Sequence, residues 1–460
     1  MTDTNAPQTG EISSHMAALA DFVRTSSSRT LPDQVAWKGK LHLLDTLAAM
    51  ISGTRLGPGE VAIKFAAAQH GLGPASIVGT RFQVPCVTAA FANGMLAHAD
   101  ETDDSHAASL THPGCAVVPS AMAHAEMFER SGLALLNAVV TGYEVAARIN
   151  LALGPRALIN LGHGPHSIGG HWGAGAAAGA LSDFNDGQIR FLFSYVAQQT
   201  AGVACWMRDR SHVLKAFVFG GMPSRNGAFA AEMVMNGFTG IDDVLDGKGN
   251  FLFAFSENPI PDELSRGLGS DYAISTAAIK KWSVGSPIQA ALDSLLAIIS
   301  EEGITHDQVA RVRALIPDNA AHVVDNREMP DINLQHCLAL MLIDGTLTFA
   351  SAHDHDRMSD PLVGTVRSLI ELVPDAELSV AVPARQAIVE LDTRNGRTFR
   401  HRTYAVRGTP GDPMTEKEVV AKARDLLIPV LGSDRTEGLI GTIMTIERLE
   451  NAATLRGYWA

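Results

Sequence analysis

Between His98 and His112 the chain carries Asp100, Glu101, Asp103 and Asp104 together with His98, His106 and His112, four carboxylates and three imidazoles in fifteen residues. The flanks are built from Ala, Gly, Met and Val, and the segment runs on into the apolar Cys115-Ala116-Val117-Val118-Pro119. Charges beside core-forming sequence have to be paired or used, because burying them alone is costly. Two readings follow. One is a site where carboxylates and imidazoles exchange protons with a ligand; the other is a solvated turn between two helices, with His106 and His112 as caps.

Four further clusters carry chemistry. Gly162-His163-Gly164-Pro165-His166-Ser167 precedes a Gly/Ala-rich run. Imidazoles beside free backbone N–H groups at a helix start suit an anion, and plain helix capping is the alternative. Arg208-Asp209-Arg210-Ser211-His212-Val213-Leu214-Lys215 leads to Phe217 and to a glycine-rich stretch with Arg225. Arginines there would grip carboxylates bidentately and Lys215 would act as a point charge, unless the stretch is an ordinary ion-paired surface loop. Lys280-Lys281-Trp282, with Gly285-Ser286-Pro287 behind it, and Asp331-Ile332-Asn333-Leu334-Gln335-His336 complete the set. Taken singly, these last two read as a solvated basic face and a capped helix start. No H-E-x-x-H or comparable metal spacing occurs, nor a dinucleotide fingerprint, a P-loop or a G-x-S-x-G elbow.

The elements that must position these groups are mostly helices. From residue 12 to about 267 apolar residues recur at three-to-four spacing, as in Leu41, Leu44, Leu47 and Ala48. Gly173-Ala174-Gly175-Ala176-Ala177-Ala178-Gly179-Ala180 predicts a buried central helix with another backbone against it, because glycine otherwise weakens a helix. From about 274 the pattern changes. Ala310, Val312, Ala314 and Ile316 share one strand parity, and Asn395-Gly396 between two β-prone runs predicts a hairpin. Helices are expected over residues 334–346 and 361–372, and Thr415-Glu416-Lys417-Glu418 is a capping box opening a final helix. The expected fold is mainly α: an all-helical domain of residues 1–273 plus 407–460, with a smaller α+β lid, 274–406, inserted.

With 460 residues, 46% hydrophobic and 18% charged, the chain has ample core for two domains. A net charge of −13 argues against nucleic acid or an anionic membrane as partner, while a local basic pocket still suits a small anion. Four scattered cysteines without C-x-x-C fit reduced thiols in the cytoplasm. The polar residues 1–13 read as a frayed arm, not a secretory signal. The uncharged stretch 157–182 holds three histidines and many glycines and reads as buried helix, not as a membrane span.

Taken in order, these clusters resemble the MmgE/PrpD family over nearly the whole chain. The matching pieces are the acidic stretch ending in Leu110-Thr111-His112-Pro113, the Gly-His-Gly-Pro-His segment, Lys215 before Phe217, Arg225-Asn226-Gly227, Lys280-Lys281-Trp282, and residues 408–413 before the capped helix. The family includes 2-methylcitrate dehydratases, cis-aconitate decarboxylases and iminodisuccinate epimerase. The resemblance implies a helical domain with an α+β lid, the site between them, a homodimer, and chemistry beside a carboxylate of a small di- or polycarboxylate without a nucleotide cofactor. Glu101 and Asp103-Asp104 resemble the family's acidic motif, and His112 its following histidine. His163 or His166 falls near the second family histidine, and Lys215 and Lys280 resemble two family lysines. The chain departs at His336, where the decarboxylases carry a tyrosine, and at Gly285-Ser286-Pro287-Ile288-Gln289, where dehydratases show a Cys-Gly pair and a histidine.

The expected catalytic set is His112, His163, His166, Lys215, Lys280, His336 and Asp103. The expected substrate-binding set is Glu101, Asp104, His106, Arg208, Arg210, Arg225 and Lys281. With His336 opposing His112 or the 163/166 pair, two-base inversion of a stereocentre is the favoured chemistry, that of an epimerase of the iminodisuccinate type. A dehydratase or decarboxylase is the alternative, and a non-enzymatic acidic binding protein the remote one. No cofactor or metal is expected. Active protein should therefore keep its turnover after exhaustive chelation; loss on chelation with recovery on adding zinc, iron or manganese would overturn this.

Overall fold

The computed structural model describes residues 11–69 and 71–460, so the expected frayed arm lies largely outside the described residues. Its first helix, Ser14–Arg24, starts where the Ser13 side chain accepts from the Met16 N–H. The longest helices are Asp33–Gly53 and Gly132–Leu153, and Pro165–Ala180 runs through the centre with nearly every residue buried. It packs against Gly132–Leu153, Pro113–Met127 and Met222–Met235. Of the uncharged stretch 157–182, Pro165–Ala180 is interior helix while residues 159–162 are exposed, and no helix among the described residues is long and apolar enough to cross a membrane.

The expected close helix packing is present, and it is closest where two glycines meet. A Cβ on Gly220 would stand 2.0 Å from the Gly94 carbonyl oxygen, and one on Gly94 would stand 2.4 Å from the Gly220 oxygen. No side chain fits there. The approach seats a π-helical turn, Phe217–Gly221, on helix Cys86–Ala97. Such turns are uncommon and gather at functional sites.

A second apolar core is built from residues 282–406. Its four-stranded sheet runs in the order Ile370–Asp375, Val309–Pro317, Ala387–Thr393, Thr398–Thr403; the first pair is parallel and the others antiparallel. The hairpin turns at Asn395-Gly396, with Gly396 at φ +85°. Val312, Ala314 and Ile316 are buried as the parity predicts, but Ala310 is exposed because the register shifts between Val309 and Arg311. The helix expected over 361–372 stops at Arg367, and Ile370–Asp375 becomes the edge strand. Its β-branched residues are too few to show as a strand against a helical pattern. The Thr415/Glu418 capping box opens helix Glu416–Leu431. This helix and residues up to Trp459 pack in the first core, together with Ile274 and Ala277. The molecule is mainly α.

The glycine crossing gives a direct test. Gly220→Ala should cost about 1–3 kcal/mol, the usual range for forcing a group into packed space, and lower the melting temperature. Gly364→Ala, in helix Pro361–Arg367 with open space around its Cβ position, should be neutral or stabilising. Equal melting temperatures for the two variants would refute the packing argument.

Candidate active site

The acidic segment is not a solvated turn. Residues 98–106 lie buried between helices Cys86–Ala97 and Pro113–Met127, and every carboxylate has partners from elsewhere in the fold. Asp100 meets the lid: its Oδ2 lies 2.8 Å from His353 Nε2, with Asp331 3.9 Å from the same nitrogen. Glu101 bridges two lysines, pairing with Lys215 and lying 3.6 Å from Lys280, which also donates to the Glu101 backbone carbonyl at 2.7 Å. Asp103 takes His98 at 2.8 Å, His112 at 3.2 Å and Lys280 at 3.5 Å. Asp104 accepts from Tyr143 at 2.6 Å and from the Gly114 N–H at 3.0 Å, and lies 2.7 Å from His42 Nδ1. Behind the segment Lys422 donates to the Thr102 carbonyl at 2.9 Å and pairs with Asp45 at 2.7 Å.

The charges follow from this packing. Burial drives Glu101 and Asp103 towards neutrality, but Lys215 and Lys280 on the one, and His98, His112 and Lys280 on the other, hold both well below the usual carboxylate range. Burial would also lower Lys280, yet Asp103 and Glu101 overcome it and keep the ammonium. Burial lowers His112 against the pull of Asp103. His166 falls well below 6.5 through burial, with His112 and Lys215 adding to the effect, and His212 drops to about 3 through burial beside Lys215. Lys280 is therefore held as an ammonium, while His112, His166 and His212 are held towards the neutral imidazole.

Phe219, on the π-helical turn, is the common platform. His166 stacks on it at 4.3 Å between centroids and His98 at 4.6 Å; His112 lies 5.3 Å away, and the Lys215 ammonium stands 5.3 Å over the ring. His112 turns Nδ1 to Asp103, and its Nε2 has no protein partner. Its side chain is 10% exposed, so that nitrogen faces the cleft. His98, Asp103 and Cys115 place ligand-type atoms within 4.8 Å of one another. The Lys280 ammonium on Asp103 and the Cys115 thiol, which burial holds protonated, oppose a cation there.

Of the expected residues, Asp103, Glu101, His112, His166, Lys215 and Lys280 converge. His163 does not: it bridges to Val203 and packs 5.6 Å from the Phe255 ring, which leaves His166 as the cleft histidine. Asp104 is taken up by His42, Tyr143 and the Gly114 N–H, bracing the fold and capping the helix after His112. His106 is tied to Ser109 and Thr276. Arg208 and Arg210 are exposed and pair with nothing among the described residues, Arg225 is exposed and bound to Asn226, and Lys281 lies over Trp282, 3.8 Å from Asp293.

His336 requires the largest correction. It is buried in the lid with neither ring nitrogen bonded, and the charges that act on it are Arg367, Arg357, Asp354 and His355, not those of the cleft. The lid residues that do reach the cluster are Asp331, from the same motif, and His353. The alternation Ala352-His353-Asp354-His355-Asp356 was a sequence signal for the latter. His42, Lys422 and Arg385 stand alone in their local sequence and give none.

The MmgE/PrpD N-terminal domain matches residues 17–263 and the MmgE/PrpD C-terminal domain residues 282–446. A cis-aconitate decarboxylase-like protein, oryM, of Aspergillus oryzae is 25% identical across 99% of this chain and 98% of its own. Cis-aconitate decarboxylases of Aspergillus terreus and Mus musculus are 23% and 24% identical, covering 95% and 92% of this chain and 94% and 89% of theirs.

His353 supplies the pH test. Burial works to lower it, but the Asp100 carboxylate 2.8 Å away raises it from 6.5 to about 9. A histidine raised on folding stabilises fully below its unfolded value and loses that contribution as pH rises through the folded one. The contribution is on the order of 3 kcal/mol below pH 6.5. Melting temperatures of wild type should fall between pH 7 and 10, and His353→Gln should flatten that part of the curve. Parallel curves for the two proteins would rule out the Asp100–His353 pair as a stabilising contact.

Proposed function

The chain belongs to the MmgE/PrpD family, and on that premise we propose that it is a cofactor-independent lyase that decarboxylates a small unsaturated polycarboxylate of the cis-aconitate class. The observation that carries the reading is the position of His336, the expected second base of a two-base inversion. His98, His112 and His166 come from the helical domain and gather around Phe219, with His212 against His98, and His336 does not oppose them from the lid. Inversion by two bases needs carriers on both faces; loss of CO₂ followed by protonation needs one. The names of the similar proteins support the same choice over the expected epimerase.

The chemistry follows from the charges. Lys215 and Lys280 neutralise substrate carboxylates that the acidic segment would otherwise repel. The bond from carbon to the departing carboxylate breaks, CO₂ leaves, and the electron pair spreads through the double bond into a second carboxylate as a dienediolate. Ammonium groups in a closed cleft stabilise that charge more than water does. His112, held by Asp103, is neutral in the empty cleft, and a bound polyanion favours its imidazolium. It takes up a proton with the substrate and delivers it through Nε2 to the allylic carbon.

The test is proton NMR of the protein with cis-aconitate in D₂O. One deuterium should enter the product for each CO₂ released. His112→Asn should lower turnover by roughly 10²–10⁴, the usual value of a positioned acid–base group, at unchanged melting temperature. Deuterium entering a saturated dicarboxylate without CO₂, or an olefin formed from a hydroxy-tricarboxylate with loss of water, would replace this reading by epimerase or dehydratase chemistry.

A further inference from the structure

A cavity of about 330 Å³ opens at the junction of the two cores, next to the charged cluster. Lys280 and Gln289 lie on its wall with Ser105 and His106, and Arg385 and Arg407 come from the lid side. The cations among these residues differ in one respect. Lys280 is held by Glu101 and Asp103, and Arg407 is clamped by Asp412 and Glu418. Arg385 makes no hydrogen bond or ion pair among the described residues. An unpaired guanidinium beside an ammonium is an arrangement that lacks its anion, because like charges sharing a cleft repel.

The backbone aims this side chain. Arg385 has φ +66°, the left-handed region that a residue with a Cβ adopts at a cost and that persists where the surroundings enforce it. The enforcing residue is the next one. Gln386 is buried, donates to the Pro383 carbonyl at 3.0 Å, and accepts Arg402 at 2.8 Å and 3.0 Å. Arg385 is solvent-exposed on the cavity wall, and its charge is felt at Glu101, Lys280 and His166.

We propose that Arg385 is a specificity-determining residue: its guanidinium binds, in bidentate fashion, the substrate carboxylate that lies on the cavity side of Lys280, so that the site selects tricarboxylates over dicarboxylates. The inference rests on the lyase reading for the identity of the substrate and deepens it by assigning the third carboxylate. The cavity is large enough for one more carboxylate-bearing arm, and Arg385 is the only cation on its lining left without a protein counter-ion among the described residues. An arginine fork suits the task better than a lysine, because the planar group grips both oxygens at once.

The test uses calorimetric binding of unreactive probes to the full-length protein, tricarballylate as the saturated tricarboxylate and glutarate as the dicarboxylate. Arg385→Asn keeps a residue that tolerates left-handed backbone, and Arg385→Lys keeps the charge without the fork. Arg385→Asn should weaken tricarballylate about 10- to 100-fold, the worth of a charge-assisted contact, and change glutarate less than threefold. Arg385→Lys should recover part of the loss. In turnover the loss should fall on KM for the tricarboxylate, with kcat much less affected. Equal weakening of both probes would make Arg385 a general source of positive potential, and unchanged binding of both would remove it from the site; either result overturns the proposal. If the probes discriminate as expected while cis-aconitate is not decarboxylated, it is the lyase reading that fails and the carboxylate subsite that stands.

Discussion

Four carboxylates in five consecutive residues lie below the surface of this protein, and that single burden organises the rest of the structure. An ionised carboxylate removed from water without a partner is not sustained, and breaking a buried pair typically costs about 3–5 kcal/mol because the remaining charge is stranded. The partners therefore have to be supplied, and one element cannot supply them all. His42 comes from the helix Asp33–Gly53, Lys215 from the turn before Phe219, Lys280 from the link into the lid, His353 from the lid, and Lys422 from the helix after it. These five long-range connections end on the same short segment.

The same packing sets which groups carry charge. Lys280 stays protonated because Asp103 and Glu101 face it, while burial beside the lysines lowers His166 and His212. His112 is held through Nδ1 by Asp103 and leaves Nε2 without a protein partner, the nitrogen that the proposed reaction uses. The crossing of Gly94 and Gly220 sets the height of Phe219, and Phe219 sets the spacing of the histidines. Packing and proton chemistry thus share a residue.

The two apolar cores are stitched by ions, not by apolar contact alone. Asp100–His353 and Glu101–Lys280 span the junction, and the cavity beside them is where a ligand would complete the set. Helix Glu416–Leu431 falls within the matched C-terminal domain yet packs in the first core. Its Lys422 reaches the back of the acidic segment, so the chain that leaves the lid returns to hold the site.

The sequence determined the period and sign of what each stretch had to do. Apolar residues at helical spacing, alternation in Val312, Ala314 and Ile316, the turn at Asn395-Gly396 and the box at Thr415-Glu418 are local signals, and local signals survive into the fold. The clusters around Glu101, His112, His166, Lys215 and Lys280 were legible for the same reason, because several ionisable groups stand together in each. Tertiary structure alone decided which of them face one another. His336 and His353 are both lid histidines in polar company, and only the helix direction and the approach of Asp100 send one to the core and the other to the cleft. Arg385 and Lys422 look like solvated surface cations in sequence; a left-handed backbone and a buried carbonyl give them their places. Composition and spacing describe neighbours along the chain, whereas the energy of a buried charge depends on neighbours in space, and those are fixed only when the whole chain has packed.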